Sequence, residues 1–295
     1  MGVSRLLLFF AIATSTGCSG GQALRPAAIA TAAWSQNDVV YSSPGGDDLL
    51  ADIDVPAGAG PHPGVLLVHG GAWGYGHRWH MNRIADRLVA HGYTVVNIAY
   101  RLAPRHRYPL PLHDCRAAVR WMRANATALR LDPERIAGFG YSAGGHLIAL
   151  LALGGAQLAV EAEAPSLAVP VSPQLQAAVL GAAPSDLNAL PETWLVKFIV
   201  GRFLGGAATE LAEIYAEASP IHHVNTGDPP LFLYHGAADW IVPIEQSRAL
   251  AAALAQAGVP HRLHRGDLGH LTTFFFDDAA LDAAIGFLDR WVKRR

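Results

Sequence analysis

A serine flanked by glycines is the residue of this chain best placed to do chemistry. Ser142 lies in Gly140-Tyr-Ser-Ala-Gly144, a match to the G-x-S-x-G pattern in which a sharp turn between a strand and a helix exposes the serine hydroxyl. The segment 134–139 predicts a short buried strand before the serine, and the apolar run 147–153 predicts a helix after it. This is the setting that the pattern requires, so we interpret Ser142 as a candidate nucleophile.

A serine hydroxyl is a weak nucleophile at neutral pH and needs a base within hydrogen-bonding distance. Where the G-x-S-x-G pattern is catalytic, an acidic residue and then a histidine follow it along the chain. Asp239 comes just after the apolar run 230–236, and His270 comes after the next predicted strand. Both fall at the carboxyl ends of strands, the edge where a parallel sheet carries its active site. We predict that His270 accepts the proton of Ser142 and that Asp239 holds the other ring nitrogen.

Two other acidic residues, Asp267 and Glu245, compete with Asp239 for the third position. Asp267 ranks well behind Asp239 because it is only three residues before His270. Asp186, in Ala183-Pro-Ser-Asp186, could act near the inserted segment, but we expect it to be solvated.

A glycine-rich loop upstream supplies the remaining part of the predicted site. His69-Gly-Gly-Ala-Trp73 follows the predicted strand 65–68 and matches the loop type whose backbone N–H groups bind a developing oxyanion. Glycine suits such a loop because a side chain would block the close approach of the backbone to a substrate. We predict that the amide of Gly71 or Ala72, together with that of Ala143, forms the oxyanion hole. One such donor typically lowers the barrier by about 3 kcal/mol.

We expect the histidines beside these motifs to have structural roles and some of the aromatic residues to bind substrate. We expect His69 to brace the glycine-rich loop and His146 to be packed one helical turn after the serine. We predict that three aromatic residues contact the substrate: Trp73, Tyr141 and Trp194. Further aromatic candidates for a pocket are Tyr75, Trp79, Phe198 and Phe274.

The elements that must position these residues alternate between strands and helices. Alternating segments across a Pro-Gly-Gly turn predict an opening hairpin over residues 39–56. Apolar runs predict further strands at 65–69, 93–100, 135–139, 175–181, 230–236 and 261–265, and helices are predicted at 81–91, 112–125, 147–153, 244–256 and 277–293. This order predicts an α/β domain over residues 37–295, with a mostly parallel sheet and a small helical cap inserted at about 184–224.

The N-terminal residues resemble an export signal. Arg5 precedes the apolar run 6–13, which is too short to span a bilayer as a stable helix and which ends in small residues. Cys18 lies where a bacterial lipoprotein signal carries its lipidated cysteine, and ordinary cleavage is the alternative. We expect residues 1–23 to be an export segment and 24–36 a tether. The protein is then exported, either anchored to a membrane through Cys18 or free in the periplasm or medium.

Composition excludes several other classes of function. The chain is 51% apolar and 16% charged, with a net charge of −2 and no basic stripe, so nothing supports a nucleic-acid partner. No metal-binding spacing of histidines and cysteines is present, and we expect no metal and no organic cofactor. The second cysteine of the chain, Cys115, lies on a predicted helix and is expected to be a small buried residue.

Together the motifs resemble the α/β-hydrolase carboxylesterases of the BD-FAE and hormone-sensitive-lipase-like branches. The matching stretches are His69–Trp73, Tyr100–Pro104, Asp114–Trp121, Gly140–His146, His235–Asp239 and Gly269–His270. Tyr141 stands where hormone-sensitive-lipase relatives usually carry an acidic residue, and Ala72 replaces the third glycine of their oxyanion loop. Both departures favour the BD-FAE-like branch.

The resemblance implies a serine carboxylic-ester hydrolase that works through an acyl-enzyme without a cofactor. The expected substrates are small uncharged esters of short to medium acyl chains or of aromatic acids. An amide-cleaving enzyme, such as an aryl-formamidase or an exopeptidase, would use the same three residues and stays open as an alternative. A ligand-binding protein on the same scaffold is a further alternative, but it would be expected to lack one of them.

Overall fold

The computed structural model describes residues 21–25, 31–154 and 171–293, and in this part of the chain eight strands form one sheet. The strands are β1 (Trp34–Ser42), β2 (Leu49–Val55), β3 (His62–Val68), β4 (Thr94–Ile98), β5 (Leu131–Tyr141), β6 (Ala177–Gly181), β7 (Leu231–Gly236) and β8 (His261–Gly266). The helices are α1 (Asn82–Ala90), α2 (Leu110–Ala124), α3 (Ala143–Leu153), α4 (Trp194–Leu204), α5 (Ala212–Glu217), α6 (Glu245–Gln256), α7 (His270–Phe276) and α8 (Asp278–Leu288).

The sheet runs in the order β1-β2-β4-β3-β5-β6-β7-β8. The predicted hairpin is the antiparallel pair β1–β2, and β2 also pairs with β4 in antiparallel fashion. From β4 to β8 every neighbouring pair is parallel. The prediction of a mostly parallel sheet flanked by helices is therefore confirmed.

Two apolar layers cover the sheet, and alternation along each strand divides the side chains between them. In β3, Leu66 and Val68 join the layer that contains α2, α3 and α6, whereas Val65 and Leu67 join the layer that contains α1 and α8. Residues 65–68 are all fully buried. A strand covered on both faces must be apolar throughout, which is why β3 has a continuous apolar sequence.

The helix predicted over 277–293 is present as α8, which a further helical turn continues over Asp289–Lys293, but the sequence did not predict the helix that precedes it. A separate helix, α7, begins at His270, and Asp277 then starts α8 by accepting a hydrogen bond from the amide of Ala280 at 2.9 Å. Asp277 is therefore an N-cap that divides two helices. His270 is therefore the first residue of a helix, and the first turn of that helix fixes its backbone.

The N-terminal region also differs in part. β1 begins at Trp34, inside the stretch 24–36 that was predicted to be a tether, and Trp34 pairs with Val55 of β2. Gln22 forms an isolated parallel bridge with Val39, so a short piece of the earlier chain is also held by the sheet. Cys18 and the rest of residues 1–20 lie outside the described residues. Within the described ranges, no helix is long and apolar enough to cross a membrane.

Candidate active site

Ser142 stands in a sharp turn between the end of β5 and the start of α3. Its backbone has φ 54° and ψ −123°, a conformation that a residue with a side chain adopts only when the surroundings impose it. Its amide donates to the carbonyl of Gly181 at 2.7 Å. A Cβ atom on Gly144 would collide with the carbonyl oxygen of Val68, and one on Gly140 would collide with that of Gly144. The two glycines of the pattern are therefore required by close backbone contacts.

The structure brings Ser142, His270 and Asp239 together. The Nε2 atom of His270 is 2.9 Å from the Oγ atom of Ser142, and its Nδ1 atom is 2.6 Å from Oδ2 of Asp239. Because a carboxylate can only accept, Nδ1 carries the proton and Nε2 is free to accept the serine hydroxyl. Both distances lie within hydrogen-bonding range, so a base already contacts the candidate nucleophile.

Asp239 is the acidic residue that contacts His270 among those considered from the sequence. Within the described ranges, Glu245 forms an ion pair with Arg248, and Asp186 accepts hydrogen bonds from amides of its own loop. Asp267 is exposed. The order of residues along the chain therefore identified the acid that the fold places beside the histidine.

The carboxylate of Asp239 is buried and surrounded by donors. The amides of Ile241 and Val242 donate to Oδ1 at 3.0 and 2.9 Å. Burial alone would raise the pKa of Asp239, but hydrogen bonds from His235 and His270 outweigh it and hold that pKa well below its usual range. The carboxylate is therefore ionised at neutral pH and can stabilise a protonated His270.

The glycine-rich loop lies against the serine turn. A Cβ atom on Gly70 would be 2.9 Å from the carbonyl oxygen of Tyr141 and 3.2 Å from the Cβ atom of Ser142. Gly71 has φ 125°, which only glycine adopts readily, and Ala72 follows with φ 53°. Ala143 is the first residue of α3, so its amide has no acceptor within the helix. The amides predicted for the oxyanion hole thus lie on two segments that meet at Ser142.

His69 and His146 are both buried and both hold this loop. His69 Nδ1 donates to the carbonyl of Gly70 at 2.8 Å. His146 Nδ1 accepts from the indole Nε1 of Trp73 at 3.1 Å, and its Nε2 donates to the carbonyl of Ala218 at 2.7 Å. Burial lowers the pKa of each histidine to about 4, so both are neutral at pH 7. These are structural contacts, as expected.

Two of the three aromatic residues predicted to contact substrate are instead buried supports. Trp73 is 3% exposed and stacks on Phe203 of α4 with ring centroids 4.4 Å apart. Tyr141 is also 3% exposed, and its hydroxyl donates to the carbonyl of His270. A direct contact with substrate does not fit either placement, because the polar atoms of both side chains bind the protein. Trp194 is 77% exposed at the start of α4, so its role stays a prediction.

A set of exposed apolar side chains, here called the apolar rim, lies close in sequence to the site residues. Each large apolar residue that is exposed in the described ranges is either on α4 or within eight residues of Gly71, Asp239 or His270. They are Tyr75, Trp79, Trp194, Leu195, Phe198, Trp240, Ile241, Leu268, Leu271, Phe275 and Phe276. The guanidinium of Arg202 lies 5.9 Å from the ring of Tyr75 and 5.4 Å from that of Phe198, so α4 contacts the loop after Gly71.

A cavity of about 190 Å³ opens beside α7, one turn of helix after His270. It is lined by Trp79, His80, Arg83, Ile84, Phe274 and Phe275. The ring of Phe274 packs against Tyr141 at 4.7 Å between centroids, and that of Tyr141 packs against His270 at 5.3 Å. The wall of the cavity is therefore connected to the catalytic histidine candidate through these two rings.

Other reactive groups do not form a second centre in the described residues. No three histidine, cysteine, aspartate or glutamate side chains there lie close enough together to hold a metal ion. Cys115 is fully buried, and burial raises the pKa of its thiol, which keeps the sulfur protonated and unreactive.

Sequence reasoning assigned no role to His235, although it belongs to the motif that contains Asp239. The side chain is fully buried and its Nε2 lies 3.2 Å from Oδ2 of Asp239. The available signal was the polar residue inside an otherwise apolar strand, four positions before the acid. The Nδ1 atom of His235 lies 2.7 Å from the Oγ atom of Ser247 on α6, and no pattern in the sequence connects these two residues.

Curated relatives of the chain are esterases. Esterase LipC of Mycobacterium tuberculosis is 33% identical over 66% of this chain and 48% of its own length. Esterase LipQ of the same organism is 33% identical over 75% of this chain and 53% of its own. The chain thus spans about half the length of the curated relatives that it matches.

Solved structures with the same architecture include esterase 2 of Thermogutta terrifontis. One of its structures has propionate bound and another is phosphorylated by paraoxon. Each has a TM-score of 0.73 and 26% identity and covers 88% of this chain and 96% of the other. The BD-FAE family matches residues 51–254, which is more than half of the sequence. With its motifs, its sheet and this match, the chain belongs to the BD-FAE family and has the α/β-hydrolase fold of these esterases.

Proposed function

We propose that the protein is a serine carboxylic-ester hydrolase that works through an acyl-enzyme. The observation that carries the proposal is the continuous hydrogen-bonded series from Ser142 through His270 to Asp239, with distances of 2.9 and 2.6 Å. The strained turn at Ser142 and the adjacent glycine-rich loop add a nucleophile and donors for an oxyanion. Relatives named as esterases support the same reaction class.

In acylation, the Oγ atom of Ser142 attacks the ester carbonyl carbon while Nε2 of His270 accepts the hydroxyl proton. The carbonyl oxygen becomes an oxyanion, which the amides of Ala143 and of Gly71 or Ala72 would bind. When the intermediate collapses, His270 returns the proton to the leaving alcohol oxygen and the carbon–oxygen bond breaks. The acyl group is left on Ser142.

In deacylation, His270 removes a proton from water, and the resulting hydroxide attacks the acyl carbon. Collapse of the second intermediate releases the carboxylic acid, and the proton on His270 returns to the Oγ atom of Ser142. Asp239 remains ionised throughout because its donors hold its pKa low, so it stabilises the imidazolium in both steps.

Uncharged esters of short to medium acyl chains or of aromatic acids are the proposed substrates. The apolar rim supports this because its exposed side chains offer apolar contacts to an uncharged substrate, whereas a charged group would lose solvation against them. The T. terrifontis esterase with bound propionate is an instance of a short acid held by a similar fold. The exposed Trp194 on α4 is proposed to contact the acyl or alcohol group.

A p-nitrophenyl ester series from acetate to palmitate, hydrolysed by the protein and by Ser142→Ala, tests the reaction. We expect activity to be highest with short chains and to be lost in the variant. Stoichiometric phosphorylation by paraoxon should occur on Ser142 and be absent in Ser142→Ala. If the intact protein hydrolyses no ester while Ser142 reacts with paraoxon, an amide is the better substrate. If neither reaction occurs, the catalytic proposal is overturned.

We also propose that the protein is exported and attached to a membrane through a lipid on Cys18. The proposal is supported by the sequence pattern of Arg5 and the apolar run 6–13. Intact-mass measurement of membrane-extracted protein tests it. A diacylglyceryl adduct on Cys18 is the expected result, and a water-soluble product that begins at another residue would overturn it.

A further inference from the structure

A second histidine binds the carboxylate that orients His270. His235, near the end of β7, is fully buried. Its Nε2 atom lies 2.8 Å from the carbonyl oxygen of Val242 and 3.2 Å from Oδ2 of Asp239. Its Nδ1 atom lies 2.7 Å from the Oγ atom of Ser247 on α6. Every polar atom of this ring therefore has a protein partner.

These partners determine where the ring carries its proton. The carbonyl of Val242 and the carboxylate of Asp239 can only accept, so Nε2 of His235 must be the donor. In the neutral ring Nδ1 is then an acceptor, and the hydroxyl of Ser247 must donate to it. The acceptor at Nε2 thus selects the tautomer, whose N–H is donated to the carbonyl of Val242 while the same atom lies 3.2 Å from the carboxylate, and the hydroxyl of Ser247 completes this arrangement by donating to Nδ1.

The contacts connect three segments around Asp239. The amide of Val242 donates to Oδ1 of Asp239 at 2.9 Å, while its carbonyl accepts from His235. Ser247 is in the first turn of α6 and is 1% exposed. The end of β7, the loop that carries Asp239 and the start of α6 are therefore linked through one imidazole.

We propose that His235, with its ring held by Ser247 and Val242, is a positioning residue for the triad acid. Resting on the proposed function, this assigns His235 the task of keeping Oδ2 of Asp239 directed at Nδ1 of His270. Oδ2 accepts from His270 and has the Nε2 atom of His235 beside it at 3.2 Å, so without His235 that oxygen keeps His270 alone as a polar side-chain neighbour. A buried carboxylate that has lost a polar neighbour rotates toward other partners, and His270 then loses its orientation.

The test compares two replacements of His235. His235→Leu fills a similar volume without a donor, and His235→Gln offers an amide N–H from a similar distance. We expect His235→Leu to lower kcat for p-nitrophenyl acetate by about 10- to 100-fold, the range typical of groups that orient a catalytic ligand. KM should stay within about twofold, and His235→Gln should recover most of kcat. A kcat unchanged in His235→Leu, or not recovered by His235→Gln, would overturn the proposal.

Ser247→Ala provides a second variant that tests the same contact without changing the histidine. We expect a smaller loss of kcat, and no further loss when it is combined with His235→Leu, because both changes remove one interaction. Ser185→Ala is the matched control. Ser185 is also 1% exposed, and its hydroxyl also donates to α6, but to the carbonyl of Gln246. Equal losses of kcat in Ser185→Ala and Ser247→Ala would mean that the contact between Ser247 and His235 has only a structural role, which would contradict the proposal.

The proton on Nδ1 of His270 gives a measurement that needs no ester. In a proton NMR spectrum, the short hydrogen bond to Asp239 should produce a resonance far downfield, and His235→Leu should shift or broaden it. An unshifted resonance in a folded His235→Leu protein would contradict the positioning role. Failure of the intact protein to hydrolyse any ester or to react with paraoxon would instead count against the proposed function.

Discussion

The hydroxyl of Tyr141 donates a hydrogen bond of 2.5 Å to the main-chain carbonyl of His270, joining the residue before the proposed nucleophile to the proposed base. The two residues are 129 positions apart in sequence. Burial raises the pKa of Tyr141, so its hydroxyl stays protonated and remains a donor. Its ring also packs between His270 and Phe274. The backbone of His270 is thereby fixed relative to Ser142.

Tyr141→Phe should remove this hydrogen bond while keeping the packing of the ring. The change leaves a buried carbonyl with one donor fewer, so we expect the free energy of unfolding to fall by about 1 kcal/mol. Because His270 becomes less firmly held, kcat for p-nitrophenyl acetate should fall by roughly 3- to 10-fold, with KM nearly unchanged. Steady-state kinetics and urea unfolding measure the two effects. Wild-type kcat in a destabilised variant would mean that other contacts hold His270.

Asp239→Asn should nearly abolish turnover. The amide has one acceptor oxygen where the carboxylate has two, and it carries no charge to stabilise protonated His270. By analogy with the same change in a serine protease triad, we expect kcat to fall about 10⁴-fold. Asp267→Asn is the matched control, because Asp267 is close in sequence to His270 but exposed. Equal activity losses in the two variants would show that Asp239 is not the specific partner.

The meeting of Ser142, Asp239 and His270 could be predicted from the sequence because it follows from the topology of the sheet. Parallel strands end at one edge of a sheet, so residues after β5, β7 and β8 must meet there, whatever their separation in the chain. The direction in which an individual side chain points is harder to predict from the sequence. The sequence analysis predicts Tyr141 as a substrate contact. As a strand residue, however, it shares a face with Phe139, and both belong to the layer under α1 and α8.

Three further features needed the three-dimensional structure. α7 has apolar residues on most of its surface, so its sequence lacks the alternation of polar and apolar positions that indicates a helix. The role of His235 depends on Ser247, which is 12 residues later on another element. Trp73 resembles a pocket residue in sequence, yet its stacking on Phe203 depends on where the cap helix α4 lies. The last two features are tertiary contacts, which a local sequence pattern does not encode.

Gly144→Ala should destabilise the serine turn severely. The new methyl group would collide with the backbone carbonyls of Val68, the last residue of β3, and of His69, which follows it. We expect a loss of about 3 kcal/mol in unfolding free energy and at least a tenfold loss of kcat. Gly286→Ala in α8 is the control, since nothing lies within 4 Å of its added Cβ atom, and it should stabilise by about 0.5–1 kcal/mol. Urea unfolding measures both changes.

The cavity beside α7 should influence which esters are preferred. Trp79 and Phe275 are 63% and 47% exposed and line the cavity together with Phe274. If the apolar part of a substrate rests there, Trp79→Ala and Phe275→Ala should raise KM for 1-naphthyl esters by roughly 5- to 20-fold, as expected from the loss of an aromatic contact. Ethyl acetate is the matched control substrate, and its kcat/KM should be unaffected. Equal effects on both esters would exclude the cavity as a specificity site.

The buried His146 should make stability depend on pH in a defined direction. Burial lowers its pKa from 6.5 to about 4, so between these values the unfolded chain binds a proton that the folded protein does not. Its contribution to stability is complete above pH 6.5 and decreases as the pH falls, by up to about 1.4 kcal/mol per pH unit. Once protonated, Nδ1 can no longer accept from Trp73, so acid should also loosen the glycine-rich loop.

His146→Gln tests this contribution, because its amide can accept from Trp73 and donate to Ala218 but does not titrate. Urea unfolding from pH 7 to pH 4 should give a shallower loss of stability in the variant than in the wild-type protein. The difference should grow as the pH falls through this range, reaching about 3 kcal/mol relative to its value at pH 7. His69, whose pKa is also lowered to about 4, leaves some pH dependence in both proteins. Parallel curves would mean that His146 is already protonated in the folded state or that acid first disrupts another region.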